Sequence, residues 1–306
     1  MSDTDPEVFC CQLSLELEEP LYGTALERDV WFLLQYDAPW TARATSDNHL
    51  PSAVQQWLDA QLEATAGSGR VQFISQGPPH DGSNLAFFVA YPCDQGPRLY
   101  RFQLDRYEDL LDLDLSALIA GKGVFQAQRH RSPIYLVCTN GRRDRCCALY
   151  GLELYRALVA VAGEAVWQTT HVGGHRFAAN VATFPDGNYY GRVLPAEAAA
   201  FIAARQRGEL YLERLRGRVC YDQVVQAADY FLRQETGRVR LNDFRHLSTA
   251  NPENGHWQIQ FKAAGAGDIH TIHLRRRLSE RSLLASCGKP QTKPVWEYHL
   301  VDHTES

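Results

Sequence analysis

The chain alternates short apolar runs with amphipathic stretches along most of its length. "DVWFLLQY" (29–36) is an unbroken apolar run that predicts a buried strand. "PSAVQQWLDAQLEAT" (51–65) opens on Pro-Ser and repeats Val54, Trp57, Leu58 and Leu62 at helical spacing, which predicts a helix. "VQFISQ" (71–76), "LAFFVAYP" (85–92) and "RLYRFQL" (98–104) predict strands, and "YEDLLDLDLSALIAG" (107–121) a helix or helical turn ending at Gly121. In "SPIYLVCTN" (132–140) the β-favouring residues run straight into Cys138, which places it at a strand end, where loops carry function. Asp144 is then positioned to cap a helix over about 145–162. There Ala148, Leu149, Leu152, Tyr155, Leu158 and Val159 recur at steps of three and four, and Gly163 closes the run. "EAVWQTTH" (164–171) predicts the next strand. "RFAANVATF" (176–184) and "YYGRV" (189–193) predict a hairpin around Pro-Asp-Gly, and "PAEAAAFIAARQRG" (195–208) a helix with Pro at its start and Gly at its end. The remainder predicts a helix over 221–237 and strands at 257–263, 269–277 and 295–301. In the middle one Ile272 and Leu274 share a face opposite Thr271, His273 and Arg275, so His270 and His273 read as structural.

These elements define an α/β protein in three segments. Residues 1–128 form an N-terminal α/β segment, 129–214 a β-α-β unit followed by a hairpin and a helix, and 215–306 a C-terminal α+β segment. With 306 residues, 45% of them hydrophobic, the chain can bury a sizeable core. A net charge of −5 lacks the basic excess of a nucleic-acid or membrane-surface binder, so neither partner is expected. Two local basic clusters, Arg129-His130-Arg131 and Arg142, Arg143, Arg145, read as solvated surface that could steer an acidic redox partner. No uninterrupted apolar run reaches the roughly 18 residues of a membrane span. The acidic start "MSDTDPEVFCC" has no secretory signal, so the expected compartment is the cytoplasm. In a reducing compartment clustered cysteines point to metal or redox chemistry rather than to disulfides. Of the eight cysteines, Cys93 and Cys220 read as small core hydrophobes, and Cys10, Cys11 and Cys287 as inert thiols near the termini.

Cys138 and Cys147 are separated by a loop that can wrap an inorganic centre, with Gly141 giving the backbone room to turn. Cys147 falls in the first helical turn, where the helix dipole and free N–H groups stabilise a thiolate. Adjacent helical residues point about 100° apart, so at most one of Cys146 and Cys147 faces the same site. In "HVGGH" (171–175) the Gly-Gly makes a tight loop of what would otherwise be a helical histidine pair, and lets backbone approach a bulky group. Two cysteines and two histidines fit a single zinc, a [2Fe-2S] cluster with the histidines on one iron, or a packed pocket without metal. The Cys-Cys interval exceeds the roughly two to four residues usual in zinc fingers. No phosphate loop or dinucleotide fingerprint is present; "GAGDIH" (265–270) reads as a turn.

"CTNGRRDRCCALYG" (138–151), "HVGGHRFAANVATFPDGNYYGRV" (171–193) and the helix that follows resemble the sucrase/ferredoxin-like family, a histidine-bearing branch of the thioredoxin-like [2Fe-2S] ferredoxins. "LYGTA" (21–25), "APW" (38–40) and "SCGK" (286–289) are similar to patches of its bacterial full-length members. The resemblance implies a thioredoxin-like ferredoxin domain and a [2Fe-2S] cluster on Cys138, Cys147, His171 and His175, with Cys146 as an alternative to Cys147. It further implies a one-electron carrier served by an external reductase and an electron acceptor. Histidine ligation removes negative charge, which moves potentials from roughly −400 mV toward about −150 mV or higher, and leaves titratable N–H groups that can couple reduction to proton uptake. A cluster-dependent redox enzyme or sensor, and a zinc-stabilised binding module, are the alternative expectations.

Overall fold

The computed structural model describes residues 9–77, 84–94, 96–120, 122, 124–265, 267–287 and 289–306. The helix end expected at Gly121 and the glycine of "SCGK" lie outside the described residues, as do residues 1–8. The elements are, in order, α1 (Cys10–Glu16), β1 (Val30–Gln35), α2 (Ser52–Ala64), β2 (Gly69–Ser75), β3 (Leu85–Tyr91), β4 (Arg98–Leu104), α3 (Ser116–Ile119), β5 (Ile134–Cys138), α4 (Arg145–Ala162) and β6 (Val166–Thr169). There follow β7 (Val181–Phe184), β8 (Asn188–Tyr190), α5 (Ala198–Gln206), β9 (Leu215–Arg218), α6 (Gln223–Thr236), β10 (Phe244–Glu253), β11 (His256–Ala263), β12 (Ile269–Ser286) and β13 (Lys289–Glu305).

Among the described residues the strands form two sheets, one of nine strands in the order β4-β3-β1-β2-β6-β5-β7-β8-β9 and one of four in the order β10-β11-β12-β13. The large sheet contains one topology twice. β1-α2-β2 is a parallel pair with a helical crossover, and β3 and β4 add antiparallel beside β1. β5-α4-β6 repeats the crossover, and β7 and β8 add antiparallel beside β5. The second copy is the β-α-β unit with hairpin and helix expected within residues 129–214. The two copies join edge to edge where β2 meets β6 antiparallel at Ile74–Thr169 and Ser75–Gln168.

β1, β3 and β5 are buried throughout, as strands covered on both faces must be. On β5 the pleat sends Ile134, Leu136 and Cys138 into one core and Tyr135 and Val137 into another, beneath α4 and α5. The stretch Arg145–Ala165, which includes α4, is long and apolar enough to cross a membrane despite Glu153 and Arg156, a property that a search for uninterrupted apolar runs overlooks. Here it lies on the sheet, burying Leu154 and Leu158 and exposing Leu149, Val159 and Val161.

The residues expected to be helical over 107–121 split into a 3-10 turn at Tyr107–Asp112 and the short α3. α6 packs Val224, Val225, Ala228 and Leu232 against Phe244, Ile259, Phe261, Ile272 and Leu274 of the small sheet. β12 and β13 run far beyond the apolar segments that announced them. Their extension is a ribbon with little buried surface, so it carries no strong period-two pattern. Its tip carries Cys287 back to α1 and the start of α4.

Candidate metal centre

Asp144 caps α4: its Oδ1 accepts from the Cys146 amide at 3.0 Å, which fixes the first turn and the direction of both following cysteines. α4 approaches the end of β5 closely because residue 151 is glycine; a Cβ there would stand 2.1 Å from the Cys138 carbonyl oxygen. Gly141 acts differently from the expectation. Its φ is not left-handed, and its lack of a side chain instead admits Ala148, whose Cβ would lie 2.6 Å from one on residue 141.

Cys138 Sγ, Cys147 Sγ and His171 Nδ1 converge within 4.8 Å of one another. His171 Nδ1 lies 4.0 Å from Cys138 Sγ and 3.8 Å from Cys147 Sγ. Both cysteines are buried, and His171 is half-buried. The Cys138 thiol is held well below its usual range, first by its hydrogen bond with Cys147 and then by His171. The same contact, together with burial, pushes Cys147 up.

His175 is outside this trio, but its ring stacks on that of His171 with centroids 5.0 Å apart. Its Nε2–H donates to the Ala285 carbonyl at 2.5 Å, which fixes the tautomer because a carbonyl can only accept. Nδ1 is therefore a bare lone pair, and it is buried with no hydrogen-bond partner. Burial lowers the His175 pKa, with Asp144 opposing, so the ring is neutral near pH 7 as a ligand must be. An unsatisfied buried acceptor costs roughly 1–3 kcal/mol. A backbone carbonyl on the other ring nitrogen leaves Nδ1 as the donor atom the ring could offer to a metal.

The loop between the histidines is held by residues distant in sequence. Arg70 Nη2 donates to the His171 carbonyl at 2.7 Å, and Gln72 Nε2 to that of Thr170 at 2.9 Å. Arg216 Nη1 donates to the Gly173 carbonyl at 3.0 Å and to Asn180 Oδ1 at 2.8 Å. Gly174 has φ +71°, and a Cβ on it would stand 2.5 Å from Arg216 Nη2, so both backbone conformation and space demand glycine. Burial pushes Arg216 down to about 10, which leaves it charged at neutral pH. A cleft of about 550 Å³ lined by Arg28, Arg43, Arg70, Arg143 and His171 reaches this loop from solvent. Neither Arg70 nor Arg216 bore any local signal of a role here.

Cys146 faces away from the trio and joins a second group. Its Sγ lies 3.6 Å from that of Cys10 and 3.3 Å from that of Cys287, with Asp144 beside them. Cys10 and Cys287, read from sequence as inert, are therefore gathered at a specific point. The doublets Cys10-Cys11 and Cys146-Cys147 were the available signal. Cys220 packs at the margin of the core under α6, as expected of a small hydrophobe.

Fold and donor set together define an α/β protein whose second β-α-β unit carries a thiol–imidazole pocket. The chain belongs to the sucrase/ferredoxin-like family, whose model matches residues 21–217. It is 31% identical over 152 residues to Altered inheritance of mitochondria protein 32 of Meyerozyma guilliermondii, a match covering 45% of this chain and 52% of that relative. The chain thus spans about half the length of the curated relative it matches. Two cysteine-to-serine variants of the thioredoxin-like [2Fe-2S] ferredoxin from Aquifex aeolicus are each similar over 28% of this chain and 100% of theirs, at 17% identity and a TM-score of 0.26.

Proposed function

We propose that the protein is a one-electron carrier whose [2Fe-2S] cluster is held by Cys138, Cys147, His171 and His175. The observation that carries this reading is His175 Nδ1, buried and unpartnered beside a ring that stacks on His171 of the thiol–imidazole trio. When bound, the cluster would accept and return a single electron at a potential above that of an all-cysteine centre. The chain's own residues supply the rest. Cys138 and Cys147 provide thiolate charge, Ala285 keeps the His175 proton on Nε2, and Arg70 and Arg216 place positive charge behind the loop. His171 lines the open cleft, so it is the imidazole with access to solvent protons. Arg142, Arg143 and Arg145 are exposed around the ligand loop and suit an acidic reductase or acceptor. Free thiols in this number suit a reducing compartment, the cytoplasm in this reading.

Iron and acid-labile sulfide analysis with visible and EPR spectra of anaerobically purified protein tests the reading. Equal iron and sulfide, a red-brown colour and a rhombic signal on reduction are expected. A colourless protein carrying zinc on these residues would overturn it. That second reading, a zinc-stabilised module, draws on the 3.8 and 4.0 Å Sγ–Nδ1 separations, which are near the donor spacing around one ion.

A further inference from the structure

We propose that Cys10, Cys146, Cys287 and Asp144 form a second metal site, separate from the ferredoxin-type centre, that binds one tetrahedral zinc ion. The three sulfurs make a nearly equilateral triangle: Cys10–Cys146 is 3.6 Å, Cys146–Cys287 3.3 Å and Cys10–Cys287 3.5 Å. Four donors around zinc at about 2.3 Å stand roughly 3.8 Å from one another, so a triangle of this size fits a single ion. A disulfide would pair only two of the three sulfurs. The Asp144 carboxylate supplies the fourth position, with Oδ1 3.9 Å and Oδ2 4.0 Å from Cys10 Sγ. Thiolates with a carboxylate are a soft-to-borderline donor set, which selects zinc over magnesium or calcium.

The surroundings compensate the negative charge. Cys146 lies in the first turn of the eighteen-residue α4, at the positive end of its dipole. The Cys10 amide donates to Cys287 Sγ at 3.4 Å, and the Cys287 amide to Asp144 Oδ2 at 3.1 Å. Cys10 and Cys146 are almost fully buried, whereas Cys287 is half-buried and leaves an entry path. Site formation releases the thiol protons to solvent, with no change of oxidation state.

The donors come from α1, the start of α4 and the tip of the β12–β13 hairpin, with Cys10 and Cys287 separated by 277 residues. α1 is docked beside them by Arg192, whose Nη2 donates to the Ser14 carbonyl at 3.0 Å, and the turn after it by Arg176, which donates to both Glu19 oxygens at 2.7 and 2.9 Å. An ion here ties α1 and the β12–β13 hairpin tip to the helix that bears Cys147. It also holds the hairpin segment whose Ala285 carbonyl orients His175.

The test is metal analysis of the full-length protein, with zinc X-ray absorption on the same sample. Near-stoichiometric zinc is expected in wild type and in Cys138→Ser, falling at least tenfold in Cys10→Ser and Cys287→Ser, while iron and sulfide stay in the latter pair. The absorption spectrum should show a first shell of three sulfurs at about 2.3 Å and one oxygen. Because it reads the unmutated protein, it decides the matter even if a variant misfolds. Absence of zinc from wild type, a shell of nitrogen and oxygen only, iron in its place, or a Cys10–Cys287 or Cys146–Cys287 disulfide would each overturn the proposal. Four sulfurs would overturn the place given to Asp144.

Discussion

Cys146 and Cys147 are consecutive residues of one helical turn, yet their thiols belong to different groups: Cys147 lies beside Cys138 and His171, and Cys146 beside Cys10 and Cys287. The rotation of about 100° between neighbours in a helix separates them, and Asp144, as N-cap, sets the phase.

Serine at position 138 or 147 should abolish visible absorbance and reduce iron to background. Alanine at 171 or 175 should alter the EPR signal or remove it, because an imidazole is lost from the donor set. Cys93→Ser should retain both colour and iron content. Loss of colour in the Cys93 variant, or its retention in Cys138→Ser, would sink the ligand assignment.

The midpoint potential should fall with rising pH. An imidazole N–H is less acidic when the centre is reduced, so protons favour the reduced form. The potential is flat below the pKa of the oxidised state, declines by about 59 mV per pH unit up to the pKa of the reduced state, and is flat again above it. Protein-film voltammetry from about pH 6 to about pH 10 checks this, and a level trace across that range speaks against histidine ligation.

Arg70→Gln should lower the potential, whereas Arg70→Lys should restore most of it. Arg70 donates to the His171 carbonyl, so its charge favours an added electron nearby. A single charge at this kind of range is worth on the order of 1 kcal/mol, which is tens of millivolts for one electron. Equal shifts in both variants would mean that the hydrogen-bond geometry matters and the charge does not.

Gly151→Ala poses two effects of opposite sign. Alanine in a helix interior gains up to about 1 kcal/mol over glycine. The new Cβ, however, would stand 2.1 Å from the Cys138 carbonyl oxygen, which is backbone and cannot turn aside. Overpacking of this kind costs about 1–3 kcal/mol, so the variant should be less stable by denaturant titration and should bind iron poorly. A stabilised variant with full iron would show that α4 does not seat on β5 as described.

Much of the fold was legible because its causes are local. Asp144, Gly163 and the three- and four-residue apolar steps between them mark out α4, and the apolar run of "DVWFLLQY" announced β1. The duplicated topology of the large sheet was not legible. It resides in strand order and leaves no residue-level period, so the edge pairing of β2 with β6 had no counterpart in the text of the chain. α1, β9, β10 and the long β12–β13 extension also went unannounced. They are short or largely exposed, and their positions are set by partners far away in sequence, such as Glu19 with Arg176.

The candidate centre divides along the same line. The sequence by itself determined that Cys138 ends a strand, that Cys147 opens a helix, and that the two histidines flank a glycine turn, because each depends on neighbours a few residues away. Only the tertiary structure decided that Arg70 and Arg216 hold that turn, that His175 turns one nitrogen to Ala285, and that Cys10 and Cys287 meet at Cys146. Those contacts join segments up to 277 residues apart, and their geometry is set by sheet order and packing rather than by local periodicity.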